Sequence, residues 1–125
     1  MGLTGAKVRL RNPRLPDLEP VEIDALADTG SMHLCIPRWL QRRLQLEESE
    51  RKPVTLADGR VVQVPYVGPL ELRFENRVGF TGALVMGEQP LLGAIPMEDM
   101  DLAVVPRTRQ VVVNPESPDA ARSRA

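Results

Sequence analysis

Apolar and polar residues alternate with a period of two most clearly at Leu70-Glu71-Leu72-Arg73-Phe74-Glu75, which puts Leu70, Leu72 and Phe74 on a core face and the charges in water. Short β-type runs of this kind recur along the chain, bounded by proline, glycine and asparagine. Ala6 to Arg11 reads as a first strand. A proline-bounded connection from Asn12-Pro13 to Glu19-Pro20 returns the chain to a second strand, Val21 to Ala27. Met32 to Ile36 continues extended, and Pro37 then stands where the first position of a helix tolerates proline. In that short helix Ile36, Leu40 and Leu44 fall four apart as a core stripe flanked by Trp39, with Gln41, Arg42, Arg43 and Gln45 facing away. Glu47 to Lys52 reads as a charged surface link. Pro53 to Ala57 and Arg60 to Val64 flank Asp58-Gly59, the signature of a hairpin with a primed turn. After Leu70 to Glu75, Asn76-Arg77 turns the chain and Val78 to Met86 forms another strand containing Gly79 and Gly82. Gly87 to Pro90 is a turn before Leu91-Leu92-Gly93. Pro96 starts a short helix over Met97 to Leu102. Ala103 to Val105 and Gln110 to Val113 close the pattern as a hairpin around Pro106 to Arg109.

Composition agrees with many brief strands joined by tight turns. Among 125 residues there are 12 prolines and 9 glycines, and aromatic content is only 3%. The class is all-β with one or two short helices. Residues 1–114 form one domain, and residues 115–125 read as a disordered tail. A formal net charge of −1, with arginines scattered among acids, supplies no basic field for nucleic acid. No apolar run approaches the ~20 residues that a membrane span needs. Cys35 is the only cysteine and the N-terminus lacks a basic region followed by an apolar core, so the expected setting is reducing and cytoplasmic.

The chemistry concentrates in one place. The apolar run Ile23 to Ala27 delivers Asp28-Thr29-Gly30-Ser31, a carboxylate among neutral hydrogen-bonding groups that can hold it without neutralising it. Gly30 leaves room for backbone or substrate to come close. Taken by itself, an Asp-Thr-Gly tripeptide is a weak signal and also fits an Asx-type turn that merely ends a strand. Its context, an apolar approach, a following serine and a distant Leu91-Leu92-Gly93, resembles the retropepsin-like aspartic proteases, with the two motifs in that family's order and approximate separation.

The resemblance implies a closed-barrel-like domain that forms its active site as a homodimer, since the chain is too short to be the two-lobed enzyme that carries both aspartates. It implies Asp28 as the catalytic residue, with Thr29 bonding across the dimer, Ser31 bonding the outer carboxylate oxygen and Gly30 offering backbone to substrate. It implies that Ala57, Asp58, Gly59 and Arg60 form the tip of a flap over an extended polypeptide substrate, without the glycine-rich run of retroviral flaps. It also implies that Leu91, Leu92 and Gly93 thread beneath the catalytic loop. Retroviral members pair an acidic residue after the Asp-Thr-Gly-Ala turn with an arginine after the second glycine; here Met32 and Ala94 stand at those places, so no unpaired charge is left. In this respect the chain resembles the small bacterial members of the clan. Neither a metal nor another cofactor is required for an Asp28 dyad to activate water.

Other readings compete. The same fold without activity would be a peptide-binding or interaction module. His33 and Cys35, two apart on a strand, share a face as a nucleophile pair would, although Cys35 between Leu34 and Ile36 reads as a small buried hydrophobe. Glu98, Asp99 and Asp101 are better explained as a polar helix face than as metal ligands. Tyr66 and Trp39 read as packing residues. Val111-Val112-Val113 is apolar enough to need a covered edge, supplied either by a second copy or within the chain.

Overall fold

The computed structural model describes residues 4–124. Strands β1 (Thr4–Arg11) and β2 (Val21–Ala27) form an antiparallel pair with Val8 opposite Ile23. Burial alternates along β2: Val21, Ile23, Ala25 and Ala27 point inward while Glu22 and Asp24 face solvent. The connection between them is anchored by Asn12, a buried polar residue whose needs are met locally. Its side-chain N–H groups donate to the Leu44 carbonyl (2.9 Å) and the Gln45 carbonyl (3.3 Å), and its Oδ1 accepts from the Arg14 amide (2.9 Å).

β3 (Leu34–Ile36) is shorter than the expected Met32–Ile36, and leads through Pro37 into helix α1 (Arg38–Arg43). Ile36, Leu40 and Leu44 are fully buried, as their spacing requires. Trp39 departs from expectation: it stays 52% exposed, because it lies one helical step round from the buried stripe.

The charged run Glu47–Lys52 is a correction. It opens strand β4 (Glu47–Thr55), paired with β5 (Val61–Phe74) with a register shift at Ser49, and its side chains from Glu47 to Arg51 are exposed. Backbone pairing needs no apolar side chain, and charges suit a strand at the sheet edge. The runs Arg60–Val64 and Leu70–Glu75, expected as separate strands, are the two ends of β5. Glu75 and Asn76 make the turn, and Arg77 already belongs to β6 (Arg77–Val85), where it is buried.

β7 (Leu91–Leu92) runs into helix α2 (Ala94–Asp99), which begins and ends earlier than expected. Its first amides are satisfied from outside: the Ala94 N–H donates to the Ser31 carbonyl (2.8 Å) and the Ile95 N–H to the Met32 carbonyl (2.9 Å). Pro96, lacking an N–H, therefore falls inside the first turn at no cost. β8 (Leu102–Val105) and β9 (Gln110–Val113) form the closing hairpin, with Val104 opposite Val111.

The nine strands form one sheet in the order β4-β5-β6-β3-β7-β2-β1-β9-β8. An additional β1–β5 pairing, Arg9 opposite Arg73, closes a ring around the main core, which contains Val8, Leu10, Ile36, Leu70, Leu72 and Leu92. β9 is paired within the chain, to β8 and at Gly5–Gln110 to β1. Residues 114–124 contain no helix or strand, yet Ser117 is buried and its carbonyl accepts from the buried Arg77 guanidinium. No described helix is long and apolar enough to cross a membrane.

Candidate active site

Asp28 leaves β2 on the outward side, in step with Glu22 and Asp24, so the end of the strand presents its carboxylate half-exposed and not to the core. Thr29 and Gly30 are exposed. The loop folds on itself: the Gly30 amide donates to Asp28 Oδ1 (3.0 Å) and the Ser31 amide to the Asp28 carbonyl (3.1 Å).

The loop is fixed from beneath by Leu91, Leu92 and Gly93. β7 inserts between β2 and β3, parallel to the first (Ala27 opposite Leu92) and antiparallel to the second (Cys35 opposite Leu91). The Asp28 amide donates to the Leu92 carbonyl (3.0 Å), and the Leu26 amide to the Pro90 carbonyl (2.9 Å). Leu92 is fully buried. Gly93 lies against the backbone of Met32 and His33, where a Cβ would meet the His33 carbonyl oxygen and come within 2.6 Å of the Met32 carbonyl carbon. With α2 capped by Ser31 and Met32, the loop from Asp28 to His33 is held by β7 on one side and by a helix start on the other.

Ala57, Asp58, Gly59 and Arg60 form the tip of the β4–β5 hairpin, exposed, with internal hydrogen bonds. The turn differs from the expected primed type. Gly59 donates to the Leu56 carbonyl (2.9 Å), Leu56 donates to the Arg60 carbonyl (2.8 Å), and Gly59 alone takes a positive φ, of 89°. This is a three-residue loop closed by a left-handed glycine, which also reconciles the turn with the strand twist. Asp58 accepts from both the Arg60 amide (2.9 Å) and its Nε (2.7 Å), holding its carboxyl below the usual range. The tip makes no hydrogen bond to the Asp28 loop among the described residues.

Further down, the hairpin does meet the site. Val54, Val62, Val64 and Tyr66 pack with Cys35, Leu84, Met86 and Leu91 in a small apolar cluster separate from the main core. Reasoning from sequence had assigned no site role to this inner face. The alternation Val62-Gln63-Val64-Pro65-Tyr66 was the available signal, since it puts the three on one side. Cys35 is buried here, and burial pushes its thiol up, as does the charge of Asp28, while a hydrogen bond with Ser31 opposes both. Among the described residues the Ser31 hydroxyl makes no hydrogen bond to the Asp28 carboxylate, which the resemblance implied. His33 and Cys35 do not form a pair: the His33 ring meets the edge of Tyr66 at 6.0 Å between centroids. Glu98, Asp99 and Asp101 do not converge as ligands; Asp99 accepts from the Phe80 amide and Asp101 from the C-terminal segment.

An Asp-Thr-Gly-Ser loop at a strand end, an apolar-apolar-Gly strand threaded beneath it and a hairpin packed alongside define the retropepsin-like aspartic protease class. The chain belongs to the aspartyl protease family, whose pattern it matches over residues 7–114. No curated protein matches it in sequence. Among solved structures it is similar to the EIAV protease complexed with an inhibitor, at 17% identity and a TM-score of 0.63, covering 83% of this chain and 93% of that one. It is also similar to the retroviral protease-like domain of Ddi1 from Leishmania major, at 11% identity and a TM-score of 0.57, covering 91% of each. These likenesses show a shared fold.

Proposed function

We propose that the protein is an aspartic endopeptidase that acts as a homodimer, hydrolysing peptide bonds at a dyad made of Asp28 from each copy. The observation that carries this reading is the Asp28 loop, locked from beneath by Leu92 and Gly93 while its carboxylate, Thr29 and Gly30 remain open to solvent. A loop that only ended a strand would not need a rigid support for an exposed carboxylate.

The surface around it suits a second copy. Met32 is 63% exposed and Ile95 39% exposed, and the two are neighbours through the Ile95 amide and the Met32 carbonyl. Met32, at one of the places where retroviral members carry their charge pair, and its neighbour Ile95 together offer apolar surface, and burying it in a dimer is favourable. Two Asp28 carboxylates brought together at a two-fold axis cannot both ionise cheaply and share one proton, the behaviour of aspartic proteases generally. The ionised carboxylate takes a proton from water as the water attacks the peptide carbonyl; its partner protonates the carbonyl oxygen and later helps the amine leave. Thr29 bonds across the dimer beneath the dyad. Substrate lies extended beneath the β4–β5 hairpin, adding its backbone as a strand.

Cleavage of a broad peptide library at mildly acidic and neutral pH, with mass measured by light scattering, tests the reading. The expected result is a wild-type dimer that cuts and an Asp28→Asn dimer that does not. A wild type that binds peptides without cutting them would instead make the domain a peptide-binding module, and an Asp28→Asn variant that cuts equally well would overturn the Asp28 dyad.

A further inference from the structure

The inner face of the β4–β5 hairpin is apolar except for Lys52 and, at its exposed end, Glu50. Cross-strand pairs share a face, so Val54 opposite Val62, Lys52 opposite Val64, and Glu50 opposite Tyr66 all point the same way. Val54, Val62, Val64 and Tyr66 line the cluster beside the catalytic loop. Lys52 therefore stands among them, half-buried, with Nζ 4.2 Å from the centroid of the Tyr66 ring. The same ring forms a T-shaped pair with His33, at the end of the catalytic loop. Tyr66 thus joins a cation on the hairpin to the segment that carries Asp28.

This cation is not neutralised. The other basic residues of the hairpin are each paired, Arg51 with Glu48 (3.6 Å) and Arg60 with Asp58 (2.7 Å), whereas Lys52 forms no ion pair among the described residues. Glu50, the carboxylate on its own face, is exposed and unpaired to it. The ring beneath Nζ holds the ammonium by a cation–π contact and leaves it without a carboxylate partner among the described residues. Burial together with the charge of Lys52 holds the His33 pKa below its ordinary value, so at neutral pH Lys52 is the positive group at this wall. An ammonium with unused donors forms its strongest contact with a carboxylate.

We infer that Lys52, held on Tyr66, is a specificity-determining residue that reads an acidic side chain of the substrate, so that the cleft selects extended peptides carrying glutamate or aspartate close to the scissile bond. The inference rests on the endopeptidase reading of the same cleft, with the apolar wall taking the neighbouring side chain and Lys52 taking the carboxylate.

The test uses peptides identical except for Glu, Gln or Lys at each position flanking the bond. They are assayed for cleavage by wild type, Lys52→Met and Lys52→Glu, and for binding to Asp28→Asn by fluorescence anisotropy. At one position wild type should favour Glu over Gln by about tenfold in kcat/KM, the scale of one charge-assisted hydrogen bond. Lys52→Met, which keeps an unbranched stem of similar length without the charge, should erase the preference, and Lys52→Glu should turn it toward the Lys peptide. Equal handling of Glu and Gln by wild type overturns the inference and leaves the protease reading intact. Glutamate-selective binding to Asp28→Asn without any wild-type cleavage supports the acid-reading wall and overturns proteolysis. Failure to bind or cut any peptide of the set overturns both.

Discussion

Two aspartates in this fold meet opposite fates. Asp101, at a left-handed position after α2 with φ of 52°, accepts from the Ser117 hydroxyl, the Arg122 amide (3.0 Å) and the Asn114 side chain (3.1 Å). Those bonds, led by Ser117 and helped by the charge of Arg77, hold its pKa down to about 2. Asp28 accepts a single side-chain hydrogen bond, from Gly30 in its own loop, and keeps its other oxygen free among the described residues. The first carboxylate spends its lone pairs on fastening the C-terminal segment. The second is presented by a rigid backbone with acceptor capacity in hand, which proton transfer requires. Backbone support with an unsaturated carboxylate marks a reactive site better than the presence of an acidic residue does.

The largest expected effects come from exchanging each carboxylate for its amide. Under the proposed mechanism, Asp28→Asn should lower peptide hydrolysis by about 10²–10⁴-fold or more with an unchanged thermal midpoint, since it removes only the group proposed to transfer the proton. Asp101→Asn should do the reverse, sparing hydrolysis while lowering the midpoint, because the amide turns a donor toward the Ser117 and Arg122 donors. Steady-state rates beside thermal melts decide this, and loss of activity in both variants would dissolve the contrast.

The support beneath Asp28 comes next. Leu92→Ala removes a fully buried side chain and should cost about 2–5 kcal/mol in urea unfolding. Gly93→Ala forces a methyl into the Met32–His33 backbone and should cost about 1–3 kcal/mol, with activity falling further than stability because the displaced backbone carries the loop. An alanine variant with wild-type activity would mean that the loop does not depend on this contact.

The smallest effect is a pH dependence. The folded pKa of Asp101 lies below its ordinary 3.8, so its contribution is fully present above that value and is lost as pH falls through about 2. Proteolytic cleavage within residues 114–124 should therefore accelerate over this window in the wild type and change little with pH in Asp101→Asn. An acid-active protease resistant to pH measures it.

Much of the arrangement is readable from residues alone. The Asp28 loop, Leu91-Leu92-Gly93, the stripe Ile36, Leu40, Leu44 and the hairpin around Asp58-Gly59 are each marked by local chemistry: a carboxylate at a strand end, a glycine at a close approach, a helical period, a residue that tolerates positive φ. What was misread lacks such marks. Glu47–Lys52 has no apolar alternation, because an edge strand needs only the backbone of β5. Trp39 is large and apolar, yet its place on the helix keeps it half in solvent.

By itself the sequence determined the order of strands, the identity of the loop and the family to which they belong, since turns, caps and alternation act over a few residues. Tertiary structure alone decided that α2 starts at Ala94, where Ser31 and Met32 supply the acceptors; that Ser117 is buried on Arg77; and that Lys52 stands unpaired over Tyr66. Each depends on partners brought close only when the ring of strands closes, and hydrogen bonds and charges between distant residues leave no periodic trace in the chain.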